Sequence, residues 1–209
     1  MIVNSLNVGK PRQILWQGRL VETSIYKQPV SGPLPLHQLD FEGNLQADLV
    51  NHGGSDKAVN AYFHTHYAHW ERVLGRRLPP GAFGENLTLA PGDESDVCIG
   101  DVYNVGDAQL EVSQPRIPCY KVDARHDRPG MAGEIVELGY TGFYFRVRRP
   151  GAVASGATLE LVERPHPRVT VAFANRVLHH DVDDSEGLHA LLAVPALANA
   201  WRKILTKRL

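Results

Sequence analysis

Val102-Tyr103-Asn104-Val105-Gly106-Asp107-Ala108-Gln109-Leu110-Glu111-Val112-Ser113-Gln114-Pro115 runs directly into Arg116-Ile117-Pro118-Cys119-Tyr120-Lys121. Two strand-like runs flank the Gly-Asp pair, which is the pattern of a β-hairpin closed by a tight turn. Proline cannot donate to a strand ladder, so pairing of the second arm stops near Pro115. Each proline also biases the residue before it towards extended backbone, which holds Gln114 and Ile117 open. The hairpin therefore delivers, just beyond its end, a stiff loop with one thiol, Cys119, between Arg116 and Lys121. Neighbouring positive charge favours thiolate, the form that attacks electrophiles or binds metals. The competing reading is a small buried apolar residue, and the loop alone leaves the two level.

Outward from this hairpin the same short-strand pattern recurs. Ile2, Leu6 and Val8 fall at even spacings, and Val21, Thr23 and Ile25 repeat them after a Gly-Lys-Pro break at residues 9–11. Pro29, Pro33 and Pro35 then interrupt any regular element. Leu87-Thr88-Leu89 starts a strand, Phe143 to Arg148 alternates, and Leu159-Glu160-Leu161-Val162 ends the β-rich part. Cys98, between Val97 and Ile99, reads as a packing residue, and a helix is expected around Ala132 to Leu138. Many short strands separated by turns make the fold class mainly β, a closed or nearly closed barrel with peripheral helices.

Composition changes after Pro165-His166-Pro167. Val169 to His180, Asp184 to Leu192 and Ala196 to Lys207 each carry helical periodicity. Asp183 to Ser185 can cap the second of these helices, and Pro195 suits the first turn of the third. Trp201, Leu197, Ile204 and Leu205 form an apolar stripe. The expected organisation is a barrel over residues 1–165 and a three-helix unit over residues 168–209. A unit of about 40 residues is too small to fold well alone, so it is expected to dock on the barrel or on a partner.

The chain has 209 residues, 43% hydrophobic and 22% charged, with a net charge of −1 and a pI near 6.8. Such a balance supplies no global field for nucleic acid or an anionic membrane, so any bound anion needs a local cluster. Arg202, Lys203, Lys207 and Arg208 on the last helix do not amount to the basic footprint of a DNA reader. Two cysteines without CxxC spacing exclude a disulfide framework or zinc finger, and no apolar run approaches a membrane span. A cytoplasmic protein is expected.

Three further clusters carry candidate chemistry. His52-Gly53-Gly54-Ser55-Asp56-Lys57 combines paired glycines, able to expose N–H groups to an anion, with an adjacent cation. Taken alone, it is better read as an ordinary glycine turn joining two elements, since the Walker spacing is absent. Thr65 to Leu74 reads as a helix burying Tyr67, Trp70 and Leu74; His64, His66 and His69 lack the HExxH spacing of zinc ligands and are expected on a solvated face. Glu85 and Asn86, at a strand mouth, can contact a ligand or hydrogen-bond the turn.

With these pieces placed, the chain resembles the MOSC family, named for the C-terminal domain of molybdenum-cofactor sulfurases, and within it the YiiM-type bacterial members. The carriers are His52-Gly53-Gly54-Ser55-Asp56-Lys57-Ala58-Val59, Tyr67-x-x-Trp70, Phe83-Gly84-Glu85-Asn86-Leu87, Val97-Cys98-Ile99-Gly100-Asp101 and Gln114-Pro115-Arg116-Ile117-Pro118-Cys119. The resemblance implies a MOSC β-barrel joined to a C-terminal three-helix domain. It also implies a molybdenum cofactor (molybdopterin) whose metal is bound by Cys119, used to reduce N-hydroxylated compounds such as hydroxylaminopurine-type bases and hydroxylamines; pyridoxal phosphate plays no part. Gly53, Gly54, Lys57 and Arg116 are expected at the cofactor phosphate, Asn86 at the pterin, and His52 and Glu85 as proton donors beside Cys119. Electrons are expected from a separate reductase. The alternative is a non-catalytic carrier of sulfur or of the cofactor on Cys119.

Overall fold

The computed structural model describes residues 1–49 and 53–209. The strands are β1 (Ile2–Val8), β2 (Arg12–Trp16), β3 (Arg19–Thr23), β4 (Gln28–Pro29), β5 (Leu34–Leu36), β6 (Val59–Phe63), β7 (Leu87–Ala90), β8 (Val102–Val105), β9 (Ala108–Pro115), β10 (Phe143–Arg149), β11 (Gly151–Val153) and β12 (Leu159–Glu163). The helices are α1 (Tyr67–Leu74), α2 (Tyr120–His126), α3 (Met131–Leu138), α4 (Val171–His179), α5 (Ser185–Leu192) and α6 (Asn199–Thr206).

The main sheet runs β12-β8-β9-β10-β6-β7-β1-β4 and is antiparallel except for the parallel pair β6–β7. A parallel pair needs a long crossover, and here it carries α1 and the loop to Asn86. The sheet curls until its far parts meet. Val3 N–H donates to Ala157 O at 2.9 Å, Gly156 N–H to Val3 O at 2.7 Å and Leu159 N–H to Met1 O at 2.8 Å. The approach to β12 therefore lies along the start of β1, and the edges that would otherwise stay unpaired are satisfied. This is the barrel that the strand pattern predicted. The β8–β9 hairpin turns at Gly106-Asp107 with Val105 opposite Ala108, and β9 ends at Pro115 as the proline requires.

Three local expectations change. Even spacing put Ile2, Leu6 and Val8 on one face, but a register shift between Val3 and Ser5 turns Val3 and Leu6 inward and leaves Ile2 exposed. Pro29 and Pro35 do not interrupt structure; they lie in β4 and β5, short strands in which a missing donor is tolerated. The last helix begins at Asn199 rather than near Pro195, and Ile204 lies partly exposed off the stripe of Leu197, Trp201 and Leu205. Asp184 caps α5 as expected, accepting from Gly187 N at 2.8 Å.

One apolar core joins barrel and helices: Leu6, Val59, Phe143 and Phe145 belong to the same cluster as Val171, Leu191, Trp201 and Leu205. The junction is also polar. Arg146 on β10 pairs with Asp56 at 2.6 Å and Glu111 at 2.8 Å and donates to Ala196 O at 3.0 Å. Asp56 in turn accepts from Asn199 N. A second core of Tyr62, Tyr67, Trp70, Phe83, Val122 and Ile135 lies where α1, α2 and α3 pack against the barrel wall. Among the described residues no helix is long and apolar enough to cross a membrane.

Candidate active site

Cys119 sits where β9 hands over to α2. Its backbone is extended, with φ −131° and ψ 167°, and its carbonyl accepts from Val122 N at 3.0 Å, so α2 starts at the very next residue. The handover is held from the other side by Gly142, whose carbonyl accepts from Arg116 N at 3.1 Å. Gly142 has φ +68°, and a Cβ there would lie 2.3 Å from Ala61 O, so only glycine fits this crossing. Glu94 fixes Gly142 through its N–H at 2.8 Å and meets His66 Nε2 at 2.7 Å with its other oxygen. His66 stacks on Tyr140 with ring centres 3.9 Å apart. The solvated face expected for His66 is corrected: this histidine is buried and helps brace the thiol-bearing loop.

Cys119, Arg116, Lys121, Lys57 and Asn86 line one cleft, together with Ser24, Lys27, Gln46, Asp48, Asn60, Phe83 and Tyr144. Lys57 ends the short 3-10 turn Ser55–Lys57, whose Asp56 is bolted to Arg146, so the turn is rigidly placed. Partial burial pulls the Lys57 ammonium below the ordinary lysine range, opposed by Asp48 and Asp56. Arg116 is buried, and its Nη1 finds no partner among the described residues. The same holds for Ser24 Oγ, Gln46 Oε1 and Asn60 Oδ1. Buried polar atoms without partners cost about 1–3 kcal/mol each, a cost that a polar ligand or ordered water in the cleft would remove.

The other expected residues divide. Glu85 is fully buried and is not among the lining residues. Its Oε1 accepts from the Tyr67 hydroxyl, from Gly81 N at 2.9 Å and from Thr88 Oγ1 at 2.8 Å, while Oε2 accepts from Phe83 N at 3.0 Å. The turn that places Phe83, Gly84 and Asn86 is thus built around this carboxylate. Asn86 reaches the cleft while its side chain knits strands, accepting from Asn60 N at 3.1 Å and donating to Asn7 O at 3.2 Å. Among the described residues, Lys57 rather than Gly53 or Gly54 forms that part of the wall; Gly53 N–H is turned to Leu49 O. His52 lies outside the described residues.

Sequence reasoning missed Lys27. It is 7% exposed, and burial, with Arg116 and Arg125 adding repulsion, lowers its pKa to about 8 against the opposing pull of Asp40 and Glu85. Its one mark in the sequence is to be the sole Asp, Glu, Lys or Arg between Ser24 and Leu39. Cys98 is the packing residue expected: it is 1% exposed and its thiol is pushed up, first by burial and then by Asp101.

Residues 48–160 match the MOSC domain and residues 169–209 the YiiM-like, 3-alpha helix domain. The chain belongs to the MOSC family. It is 45% identical over 206 residues to the protein YflK of Bacillus subtilis, covering 99% of this chain and 93% of that one. The crystal structure of YiiM from Geobacillus stearothermophilus superposes with a TM-score of 0.85 at 39% identity, covering 100% of this chain and 98% of the other. A protein of Gibberella moniliformis named a reductase is 36% identical over 169 residues, which is 77% of this chain and 29% of that longer protein. As a MOSC barrel with an appended helical domain, the chain has a fold whose family is associated with molybdenum-cofactor binding in general.

Proposed function

We propose that this protein holds a molybdenum cofactor in the Cys119 cleft and reduces N-hydroxylated compounds. The observation that carries the reading is one cleft combining a cysteine with Lys27, Lys57, Arg116 and Lys121 and with four unpartnered buried polar atoms. These donors fit the group. A thiolate is a soft ligand for a thiophilic metal, the Lys57, Arg116 and Lys121 cations suit a terminal phosphate, and Ser24, Gln46 and Asn60 offer hydrogen bonds to a heterocycle. Bound there, the cofactor would supply a metal that cycles by two electrons and takes oxygen from an N–OH group. The protein's part is to ligate through Cys119 Sγ, to orient the substrate against Phe83 and Tyr144, and to supply protons.

The family supports the cofactor, and the fungal relative's name supports reduction. This chain corresponds to 29% of that fungal protein; on our reading, electrons reach it from a separate reductase. The test is molybdenum content of wild type and Cys119→Ala from cells that make the cofactor, followed by reduction of 6-hydroxylaminopurine. About one metal per chain in wild type, none in the variant, and turnover are expected, for a ligand set centred on one cysteine. Metal kept equally by both proteins refutes the assignment of Cys119. Metal without turnover replaces the reductase by a carrier.

A further inference from the structure

Reducing an N-hydroxylated compound to its amine breaks the N–O bond, forms an N–H bond and releases water, consuming two electrons and two protons. A molybdenum cofactor held by Cys119 would supply the electrons, replenished by an external one- or two-electron donor. The protons must enter through the cleft. Glu85 was the expected source, but four hydrogen bonds hold its carboxylate in the turn, away from the cleft. Arginine keeps its proton at any ordinary pH, which removes Arg116. Tyr144 is held protonated by burial. Cys119 would be taken up by the metal.

We infer that Lys27 is the proton donor of this cleft, delivering a proton from Nζ to the nitrogen as the N–O bond breaks. This rests on the reading proposed above. The geometry behind it is a buried lysine that lines the same cleft as Cys119 and whose stem is packed against backbone. Gly9 forms the clamp: a Cβ at that position would lie 3.1 Å from Lys27 Cγ and 3.0 Å from Tyr26 O. Asp40, the carboxylate acting most strongly on Lys27, is itself fixed by Asn44 Nδ2 at 2.8 Å and Phe41 N at 2.8 Å. Glu85 adds attraction, while Arg116 and Arg125 repel the ammonium. The result is a cation that is charged at neutral pH yet gives up its proton readily, the balance that efficient acid catalysis requires. Lys57, only half-buried on its turn, is left to hold an anion.

The experiment has an arm without cofactor and one with it. In the apo protein, lysine side-chain NMR with Lys27→Met for assignment should show Nζ titrating near 8. An ordinary lysine titration overturns the proposal. In the loaded enzyme, Lys27→Met and Lys27→Arg are assayed on 6-hydroxylaminopurine with reduced methyl viologen, and molybdenum is counted in each. Both variants should keep the metal and lose turnover by about 10²–10⁴-fold, the usual contribution of a general acid. Both should also lose the alkaline limb expected of the wild-type profile. Full rescue by Arg, or loss of metal from both variants, overturns the proposal by making Lys27 an anion anchor. A wild type with no molybdenum or no turnover instead refutes the functional reading itself, whatever Lys27 does in the apo titration.

Discussion

Glu85→Gln is expected to weaken the fold before it touches chemistry. The Glu85 carboxylate takes three donors on Oε1 and the Phe83 N–H on Oε2. An amide can keep one oxygen. Placed at Oε1 it retains three contacts, but its NH₂ then faces the Phe83 N–H, so one charged hydrogen bond of about 1.5–3 kcal/mol is lost. The stranded buried donor costs roughly 1–3 kcal/mol more, giving about 2.5–6 kcal/mol. With a urea m-value of about 2–3 kcal/mol/M, the midpoint should fall by roughly 1–3 M. Urea unfolding of the apo protein, followed by fluorescence of the fully buried Trp70 and Trp201, reads this directly. A variant that unfolds at the wild-type midpoint yet has lost turnover would refute the reasoning and return Glu85 to the chemistry.

His126 is buried, donates Nε2–H to Ala82 O at 2.9 Å and has its pKa lowered to about 4, chiefly by burial. Its contribution is therefore present above the unfolded value near 6.5 and lost as pH falls towards 4; acid melts should show about 3 kcal/mol of slope that His126→Gln removes. Lys27 follows the same sign at higher pH. Its burial costs the apo fold about 3 kcal/mol below 8, and the cost disappears as pH rises to 10.5, so Lys27→Met should stabilise the apo protein at pH 7 and not at pH 10.5. Unchanged pH dependence of the melting temperature in either variant refutes the corresponding account. Gly142→Ala should cost roughly 2–4 kcal/mol through its positive φ and its clash with Ala61 O, and molybdenum occupancy should fall with it, since the same residue holds Arg116.

What the sequence disclosed was local. The β8–β9 hairpin and the stop at Pro115 follow from turn and proline chemistry over adjacent residues, and they sufficed to locate Cys119. The family resemblance located Lys57, Arg116 and Asn86 as well, and all three reach the Cys119 cleft. What stayed hidden depends on distant partners. The shift in β1 is set by pairing with β7, more than 80 residues away in the chain, and nothing near Val3 announces it. His66 looked solvated because its partners, Glu94 and Tyr140, come from other segments. Lys27 passed without notice because Gly9, Asp40 and Arg116 are brought around it only by the fold. Glu85 was ambiguous for a related reason: a carboxylate beside a glycine turn can serve the turn or a ligand, and only the four donors decide.

Asp56 divides its carboxylate between two masters, one oxygen on the barrel's Arg146 and the other on Asn199 at the head of the last helix. The next residue is Lys57. The placement of Lys57 in the Cys119 cleft is thus tied, through one peptide unit, to the seating of the C-terminal helices. Trimming the chain after the barrel would strip a wall from the shared core and loosen that placement together. For an engineer or for natural selection, the two halves of this polypeptide are not interchangeable parts: a graft or truncation at their border reaches the cleft as well as the core.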